Sequence, residues 1–526
     1  MRSFMPLLAG GAVAAALLSS AVQHARAQGA ADPCAALVGR TSSNARIESA
    51  EANTNGTVVN SRGAPLTGIP AFCRVRGLVT PSAHSRIHFE AWLPLTGWKG
   101  RVTMIGNGGY SSSFSVGDLA ALVRQGSAAV ATDTGHEGGE LDFGFDNDEA
   151  IADWGHRAVH ESIVAAKAVV AHFYGHAPRY SYFAGCSTGG HQALMEAQRY
   201  PADFDGIVGG DPGNNRTNLN FGFLWQFLAN HEAGDNSHPI LTAQDLALVN
   251  RAAVKQCDAL DGVTDGVIAD PRQCRFAPAQ LRCAPGKTSQ CLSDRQLQAL
   301  QQMYAGARRR DSGEVVYPGW PVGSEAPQGA GGWQTYWANP AKPDEPQRVE
   351  YFRRWAFRDP NWNWWSFDWS RGVDAARARM TPLVDATSPD LSAFERRGGK
   401  IILYQGWADP VVSAPDTIAY YERMSAATPR AAKFSALFLV PGMGHCSGGP
   451  GATDFSSGTD AFGNVALALQ DWVEKGVRPE RILAVHRQDQ QPGAAAPFSR
   501  PLCAWPQLAH YNGNGDMTNA VNFTCR

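Results

Sequence analysis

Short apolar stretches alternate with amphipathic ones along residues 85–215. Five of these stretches have the apolar runs or alternation of strands: residues 87–93, 101–105, 128–133, 180–184 and 206–210. Residues 157–175 carry apolar side chains in steps of three and four, which predicts a helix, and residues 191–197 predict another. Strands that alternate with helices predict a mostly parallel, doubly wound sheet of the α/β class.

The same alternation returns near the end of the chain. Residues 400–406 and 435–440 predict strands, and residues 466–473 predict a helix. Between the two blocks the alternation is lost, and the chain becomes rich in Gly, Pro and Trp. We therefore interpret residues 28–215 and 396–526 as one discontinuous sheet domain, into which residues 216–395 are inserted as a lid domain.

The first 27 residues have the features of a secretory signal peptide. Arg2 supplies a positive charge, residues 7–18 form an apolar, Ala-rich run, and Ala25-Arg26-Ala27 fits a small-residue cleavage site. The apolar run is too short to cross a bilayer comfortably, and no later stretch is long and apolar enough. The sequence therefore predicts a secreted or periplasmic soluble protein with no membrane partner.

Net charge and cysteine content narrow the range of partners and cofactors. Loss of Arg2 and Arg26 with the signal peptide changes the formal net charge from -2 to about -4, which is near neutral for this length and argues against nucleic acid as a partner. The ten cysteines are an even number, so disulfides are expected in an exported chain. Four cluster in the predicted lid: Cys257, Cys274, Cys283 and Cys291. Their spacing lacks the Cys-x2-Cys pairs of a zinc site, which favours disulfides over metal thiolates.

A candidate nucleophile lies between a predicted strand and a predicted helix. The sequence there is Gly185-Cys186-Ser187-Thr188-Gly189, followed by Gly190. Gly-Xaa-Ser-Xaa-Gly in this setting is typical of a nucleophile elbow, where glycines allow the sharp turn that exposes the serine hydroxyl. Taken alone, the motif also fits an ordinary Gly/Ser-rich turn.

A nucleophilic serine needs a histidine base and an acid, and on this architecture the chain order is Ser, Asp or Glu, His. Asp409 directly follows the predicted strand 400–406, and His445 lies in the loop after the predicted strand 435–440. Each is a common loop residue by itself. Three residues in the expected order, each after a strand, predict a triad of Ser187, Asp409 and His445.

An oxyanion hole needs backbone N–H groups that point at the developing negative oxygen. One is expected from Thr188, the residue after the serine. For the other we assign Gly109, in the loop Gly106-Asn107-Gly108-Gly109 after an early strand, where missing side chains let the backbone approach a substrate. A plain glycine-rich turn is the alternative interpretation.

Cys186 precedes the candidate nucleophile, and Cys446 follows the candidate base. If the triad forms, these two cysteines lie close together and should pair in an oxidising compartment. Such a bridge closes a loop of about 260 residues, for which the chain-entropy estimate is roughly 4–5 kcal/mol. We expect its main effect to be positional, because small displacements of reacting groups reduce catalysis strongly.

Residues 258–267 place three carboxylates at spacings of three and four. Asp258, Asp261 and Asp265, with the backbone carbonyls of Val263 and Val267, could supply most of the oxygen shell of Ca2+. The run lacks the glutamate of an EF-hand, and a solvated acidic turn is the alternative. No basic residue lies within the run and the triad is far away in sequence, so we expect a structural ion and no organic cofactor.

These motifs together resemble the tannase and feruloyl esterase family. The resemblance rests on Cys186-Ser187, Asp409, His445-Cys446, the 106–109 loop, residues 131–136 and residues 258–267, and it covers nearly the whole mature chain. It implies an α/β-hydrolase fold, a large lid that carries Ca2+, and esterase activity on aromatic carboxylic esters. It also implies five disulfides: Cys34–Cys73, Cys186–Cys446, Cys257–Cys274, Cys283–Cys291 and Cys503–Cys525.

The resemblance leaves the substrate open, because the family also includes an enzyme that hydrolyses mono(2-hydroxyethyl) terephthalate. We expect a serine esterase acting on small aromatic esters, such as feruloyl, hydroxycinnamoyl or galloyl esters. A hydrolase of terephthalate-type monoesters is the alternative within this class. An alternative from another class is a catalytically inactive protein that binds phenolics or carbohydrates on the same scaffold.

Aromatic and basic residues crowd one stretch of the predicted lid: Trp355, Trp362, Trp364, Trp365, Trp369 and Phe367, with Arg353, Arg354 and Arg358. The aromatic side chains could stack on a phenolic ring, and an arginine could bind a substrate carboxylate. The alternative is that the tryptophans form the core of the lid and the arginines lie on its surface.

Overall fold

Ten strands form the central sheet of the protein. The computed structural model describes residues 32–487, except 43, 61 and 288, and residues 495–526. The sheet strands in chain order are β1 (Thr41–Ser42), β2 (Ala45–Asn53), β3 (Phe72–Val79), β4 (Ile87–Pro94), β5 (Arg101–Ile105), β6 (Ser127–Thr132), β7 (Tyr180–Cys186), β8 (Gly206–Gly210), β9 (Lys400–Gly406) and β10 (Ser435–Val440). Across the sheet their order is β1-β2-β3-β4-β6-β5-β7-β8-β9-β10. The predicted signal peptide, residues 1–27, lies outside the described residues.

The sheet has a parallel part and an antiparallel part. Strands β5 to β10 form the parallel part, in which each strand is parallel to the strands beside it. Every strand predicted from the sequence is present in the sheet. Strands β1 to β4 are antiparallel, and β4 joins the parallel part through an antiparallel pairing with β6. Strands β2 and β3 were not predicted, because charged residues such as Arg46, Glu48 and Arg74 interrupt their apolar pattern.

Eleven α-helices occur in the described part of the chain: α1 (Val116–Arg124), α2 (Asp148–Ala152), α3 (Ala158–Tyr174), α4 (Thr188–Arg199), α5 (Arg216–Ala229), α6 (Ala243–Cys257), α7 (Asp294–Ala305), α8 (Arg371–Val384), α9 (Ser392–Arg396), α10 (Ala414–Ala427) and α11 (Val465–Lys475). None of them is long and apolar enough to cross a bilayer. The predicted helices at 157–175, 191–197 and 466–473 correspond to α3, α4 and α11.

Helices cover both faces of the sheet. Successive side chains of a strand point to opposite faces, so the neighbours Ile207 and Val208 of β8 belong to different apolar clusters. Ile163 of α3 and Leu194 of α4 join the cluster of Ile207, whereas Leu469 of α11 joins that of Val208. The predicted α/β class with a doubly wound, mostly parallel sheet is therefore confirmed.

The chain between β8 and β9 lies outside the sheet, because these two strands are direct neighbours in it. This segment contains α5 to α9 and supplies most of an apolar cluster in which Phe221, Tyr351 and Trp355 are fully buried. The boundaries 216 and 395 proposed for a lid domain stay a prediction.

Five two-stranded pairs complete the fold: Val58–Val59 with Pro65–Leu66, Ala307–Arg308 with Val315–Tyr317, Ala338–Asn339 with Lys342–Pro346, Arg481–His486 with Phe498–Cys503, and Ala509–Tyr511 with Phe523–Cys525.

The five disulfides implied by the family resemblance are all present: Cys34–Cys73, Cys186–Cys446, Cys257–Cys274, Cys283–Cys291 and Cys503–Cys525. They include every cysteine of the chain. Five disulfides in one chain indicate a protein that folds in an oxidising compartment.

Candidate active site

Ser187 lies at the turn between β7 and α4. Its backbone has φ +64° and ψ −115°, a conformation that L-residues rarely adopt and that nucleophile elbows use to expose the serine oxygen. The turn also requires close packing behind the serine, since a Cβ atom on Gly190 would lie 2.2 Å from the carbonyl oxygen of Gly210. The glycine that follows the motif therefore allows α4 to pack against the end of β8.

The three residues of the predicted triad form one hydrogen-bonded line. The Nε2 atom of His445 lies 2.8 Å from Oγ of Ser187, and its Nδ1 atom lies 2.8 Å from Oδ2 of Asp409. The backbone N–H groups of Val411 and Val412 donate to the other carboxylate oxygen of Asp409, which fixes its orientation. With the proton of the imidazole on Nδ1, Nε2 is free to accept the serine proton.

The charges around His445 favour its protonated form. Burial alone lowers the pKa of this imidazole, but the adjacent Asp409 carboxylate outweighs burial and raises the pKa above 6.5. The more distant charge of Asp211 also raises the pKa, and that of Arg216 lowers it. Because only the neutral imidazole can accept a proton, its capacity as a base decreases as the pH falls through this raised pKa.

Asp211 is a buried carboxylate that the sequence analysis missed. It directly follows β8, and its two oxygens accept the backbone N–H groups of Gly406 at 2.7 Å and Cys446 at 2.8 Å. The Cys186–Cys446 disulfide, with 5.9 Å between Cα atoms, links the same loop to the serine turn. The loop that carries His445 is thus held by one covalent bond and by one buried carboxylate.

The two residues assigned to the oxyanion hole contact each other. The hydroxyl of Thr188 donates to the carbonyl oxygen of Gly109 at 2.8 Å. Within the described part of the chain, neither the Thr188 N–H nor the Gly109 N–H donates to an acceptor. The neighbouring Asn107 anchors the loop, because its backbone N–H donates to Gln192 and its side chain donates to the carbonyl oxygen of Thr132.

Two arginines beside this loop were also missed by the sequence analysis. The guanidinium carbon of Arg348 lies 5.0 Å from the ring centroid of Tyr110, and that of Arg216 lies 5.9 Å from the same centroid. A Cβ atom on Gly109 would lie 3.4 Å from Nη2 of Arg348. No carboxylate lies within 4.0 Å of either guanidinium in the described residues. Neither residue belongs to a recognisable motif, and only the fold brings them to the site.

The arginines singled out in the aromatic stretch are already paired with carboxylates. Arg353 pairs with Glu345 and Glu350, Arg354 with Glu350 and Asp142, and Arg358 with Asp146 and Asp148. Trp355, Trp364, Phe367 and Trp369 are buried, and Trp362 and Trp365 are partly buried against the same apolar cluster. Of the two interpretations of this stretch, the packed core is correct.

The candidate metal ligands of the acidic loop 258–267 are all oxygen atoms, and Ca2+ prefers oxygen ligands. Asp258 accepts the backbone N–H groups of Asp265 and Gly266, and burial raises the pKa of Asp261 to about 6. The three carboxylates do not all lie within 4.8 Å of one another. The run itself contains no basic residue, but Arg500, which is far away in sequence, forms an ion pair with Asp265. The donor chemistry thus fits Ca2+, and coordination by all three carboxylates requires them to approach one another more closely.

The chain is similar over most of its length to known proteins. The family model described as "Tannase and feruloyl esterase" matches residues 73–526. The chain is 35% identical to the mono(2-hydroxyethyl) terephthalate hydrolase of Piscinibacter sakaiensis, over 88% of this chain and 86% of that protein. It is 33% identical to feruloyl esterase C of Talaromyces stipitatus, over 86% of this chain and 85% of that protein. The crystal structure of feruloyl esterase B from Aspergillus oryzae superimposes with a TM-score of 0.85 at 28% identity, covering 93% of this chain and 98% of that one.

Proposed function

Because this chain belongs to the tannase and feruloyl esterase family, we propose that it is a secreted serine esterase acting on aromatic carboxylic esters, such as feruloyl, hydroxycinnamoyl or galloyl esters. The observation that carries the proposal is the hydrogen-bonded line of Ser187, His445 and Asp409. The backbone N–H groups of Thr188 and Gly109, which donate to no acceptor within the described residues, also support it. Ester hydrolysis is the activity of relatives that match most of the chain, and the five disulfides are typical of exported proteins.

In the proposed reaction, Ser187 attacks the ester carbonyl while His445 takes the serine proton and returns it to the leaving alcohol. Asp409 holds the imidazole in the required tautomer and stabilises its protonated form. The N–H groups of Thr188 and Gly109 bind the negative oxygen of the tetrahedral intermediate, and one such donor contributes roughly 100- to 1,000-fold in kcat. Water, deprotonated by His445, then hydrolyses the acyl-enzyme.

A second candidate function is hydrolysis of aromatic monoesters that keep a free carboxylate, of the mono(2-hydroxyethyl) terephthalate type. The observation that favours it is Arg348, whose guanidinium lies beside Gly109 without a carboxylate partner in the described structure. Next to the proposed reaction centre, a guanidinium without a carboxylate partner in the described structure can donate two parallel hydrogen bonds to a substrate carboxylate.

The second candidate predicts a selective effect of Arg348→Met. We expect kcat/KM for mono(2-hydroxyethyl) terephthalate to fall about 10- to 100-fold, because a hydrogen bond to a charged group contributes about 1.5–3 kcal/mol. For methyl ferulate and a neutral gallate ester we expect a change smaller than about threefold. Side-by-side kcat/KM values on the three esters test this expectation.

The matched control is Arg358→Met, which removes an arginine already paired with Asp146 and Asp148 and should leave the ratio of the three values unchanged. Equal losses on acidic and neutral esters in Arg348→Met would contradict a carboxylate site. No measurable activity of the wild type on the terephthalate monoester would reject the second candidate and leave the feruloyl or galloyl esterase.

We also propose that residues 258–267 hold a structural Ca2+, with Asp258, Asp261, Asp265 and the carbonyls of Val263 and Val267 as ligands. The ion would reduce the repulsion among these carboxylates and stiffen the loop, without contact with the reacting ester. At a free concentration of 100 times Kd, such an ion stabilises the folded state by about 2.7 kcal/mol.

Metal analysis of the dialysed protein should therefore find about one calcium per chain, and a chelator should lower Tm by about 3 °C. We expect Asp261→Asn to lose the calcium and the effect of the chelator, whereas Asp235→Asn, at a more exposed acidic residue of the inserted segment, should keep both. A protein that contains no calcium and whose Tm is insensitive to chelator contradicts the site.

A further inference from the structure

Arg216, at the first position of α5, is a buried residue whose guanidinium has no carboxylate partner in the described part of the chain. The residue is 7% exposed, and its Nε atom has no hydrogen-bond acceptor among the described residues. No carboxylate of the described residues lies within 4.0 Å of it. Asp385 attracts it from farther away, but the carboxylate of that residue accepts hydrogen bonds from Thr217 and Thr381. A buried, unpaired cation is destabilising by several kcal/mol, so other interactions must retain it.

Two of those interactions are with aromatic rings. The guanidinium carbon lies 5.3 Å from the ring centroid of Trp154 and 5.9 Å from that of Tyr110, within the range of cation–π attraction. The adjacent His191 does not add a second charge, because burial, followed by the charge of Arg216, lowers the pKa of that imidazole to about 3. The cations beside Tyr110 are therefore Arg216 and Arg348, and His191 adds no third charge.

The third interaction leads to the oxyanion hole. Nη2 of Arg216 donates to the hydroxyl oxygen of Thr188 at 3.0 Å. The same hydroxyl uses its only hydrogen to donate to the carbonyl oxygen of Gly109 at 2.8 Å. The bonds therefore run in one direction, from Arg216 through Thr188 to Gly109. They join the two residues whose N–H groups are the proposed oxyanion donors.

We propose that Arg216 is a positioning residue of the oxyanion hole. It holds Thr188 and Gly109 in fixed relative positions, and its charge contributes a positive potential where the ester carbonyl oxygen becomes negative. Water screens a buried charge weakly, and a donor polarised by a cation strengthens the next hydrogen bond in a chain. This inference rests on the proposed serine esterase function, and no bond of Arg216 itself is made or broken.

The test compares Arg216→Met, which removes the charge, with Arg216→Lys, which keeps it. For Arg216→Met we expect kcat to fall about 10- to 100-fold, less than for loss of a whole oxyanion donor, with KM changed by less than about threefold. The loss should be the same for methyl ferulate and for an ester with a free carboxylate. Arg216→Lys should recover at least part of kcat on both esters.

The pH profile gives a readout that a purely structural role would not change. Among the charged groups with the largest effect on the pKa of His445, Asp409 and Asp211 favour protonation and Arg216 opposes it. Removing its charge in Arg216→Met should therefore raise the pKa of His445 and move the acid limb of the pH profile of kcat/KM to higher pH. Arg216→Lys keeps the charge and should leave that limb near its wild-type position. If Arg216→Met does not fold, Thr188→Val removes the hydroxyl that links the two donors while Arg216 stays, and its kcat should fall on both esters.

Three results overturn the inference. A loss confined to the acidic ester assigns Arg216 to substrate binding, and a change in KM alone excludes a role in the transition state. An unchanged kcat in Arg216→Met, in a protein whose wild type is labelled at Ser187 by a fluorophosphonate, rejects the inference and leaves the esterase function. Absence of labelling in the wild type rejects the proposed function itself.

Discussion

We expect Ser187→Ala to lower kcat for methyl ferulate or a gallate ester by about 10,000- to 1,000,000-fold. The serine oxygen lies 2.8 Å from His445 Nε2, and Asp409 orients that imidazole from the other side. Alanine removes the atom that forms the acyl-enzyme, so only the polarisation of the carbonyl by the oxyanion donors remains. KM should change little, because the methyl side chain occupies less space than the hydroxymethyl group.

The measurement pairs steady-state kinetics with covalent labelling. A fluorophosphonate should label the wild type once, at Ser187, and should not label Ser187→Ala. Ser456→Ala, at an exposed serine far along the chain, serves as the control and should keep full kcat. Full activity of Ser187→Ala rejects the serine mechanism. A wild type that neither reacts with the probe nor hydrolyses any ester supports the inactive binding protein instead.

Removal of the Cys186–Cys446 bridge has the second largest expected effect. In the double variant Cys186→Ser, Cys446→Ser we expect kcat to fall about 100-fold, because displacement of a catalytic group by about 1 Å has that effect. We also expect the free energy of unfolding to decrease by about 2–5 kcal/mol. The bridge joins residues 260 positions apart, and apart from it the histidine loop depends on hydrogen bonds such as that from Cys446 N–H to Asp211.

The matched control is Cys283→Ser, Cys291→Ser, which removes a bridge between residues eight positions apart in the inserted segment. Its kcat should equal that of the wild type, and its loss of stability should be smaller, because a short loop restrains the unfolded chain less. Denaturant unfolding and kcat at a temperature where both variants are folded separate the two effects. If the Cys186–Cys446 variant loses stability but keeps kcat, the bridge does not position the histidine.

Local patterns predicted the parallel strands well and the antiparallel ones poorly. Strands β6 and β8 are buried along their whole length, so they appear as nearly continuous runs of apolar and small residues, which the hydropathy pattern detects. Strand β2 alternates buried and exposed residues and includes a register shift between Ile47 and Ser49, which blurs its period. The sheet therefore extends further than the sequence pattern indicated.

The candidate site divides in the same way. Ser187, Asp409 and His445 lie in turns and loops that follow strands. The carboxyl ends of parallel strands meet at one edge of a sheet, so the order and spacing of these residues identified them. Asp211 also follows a strand, yet its function depends on which N–H groups it faces, and those belong to residues about 195 and 235 positions away. Arg348 and Arg216 come from the segment inserted between β8 and β9, whose path over the site no local pattern specifies.

The sequence alone determined the α/β class and predicted the residues of the triad and the oxyanion loop. Each of these depends on hydropathy period or on a few neighbouring residues with special backbone requirements. The disulfide pairing required the family resemblance in addition. Only the tertiary structure decided that Arg353, Arg354 and Arg358 are neutralised by carboxylates, whereas Arg216 and Arg348, beside Thr188 and Gly109, have no carboxylate within 4.0 Å among the described residues. The physical reason is that the interactions of a charge depend on distances in space and on burial, which packing sets between residues far apart in the chain.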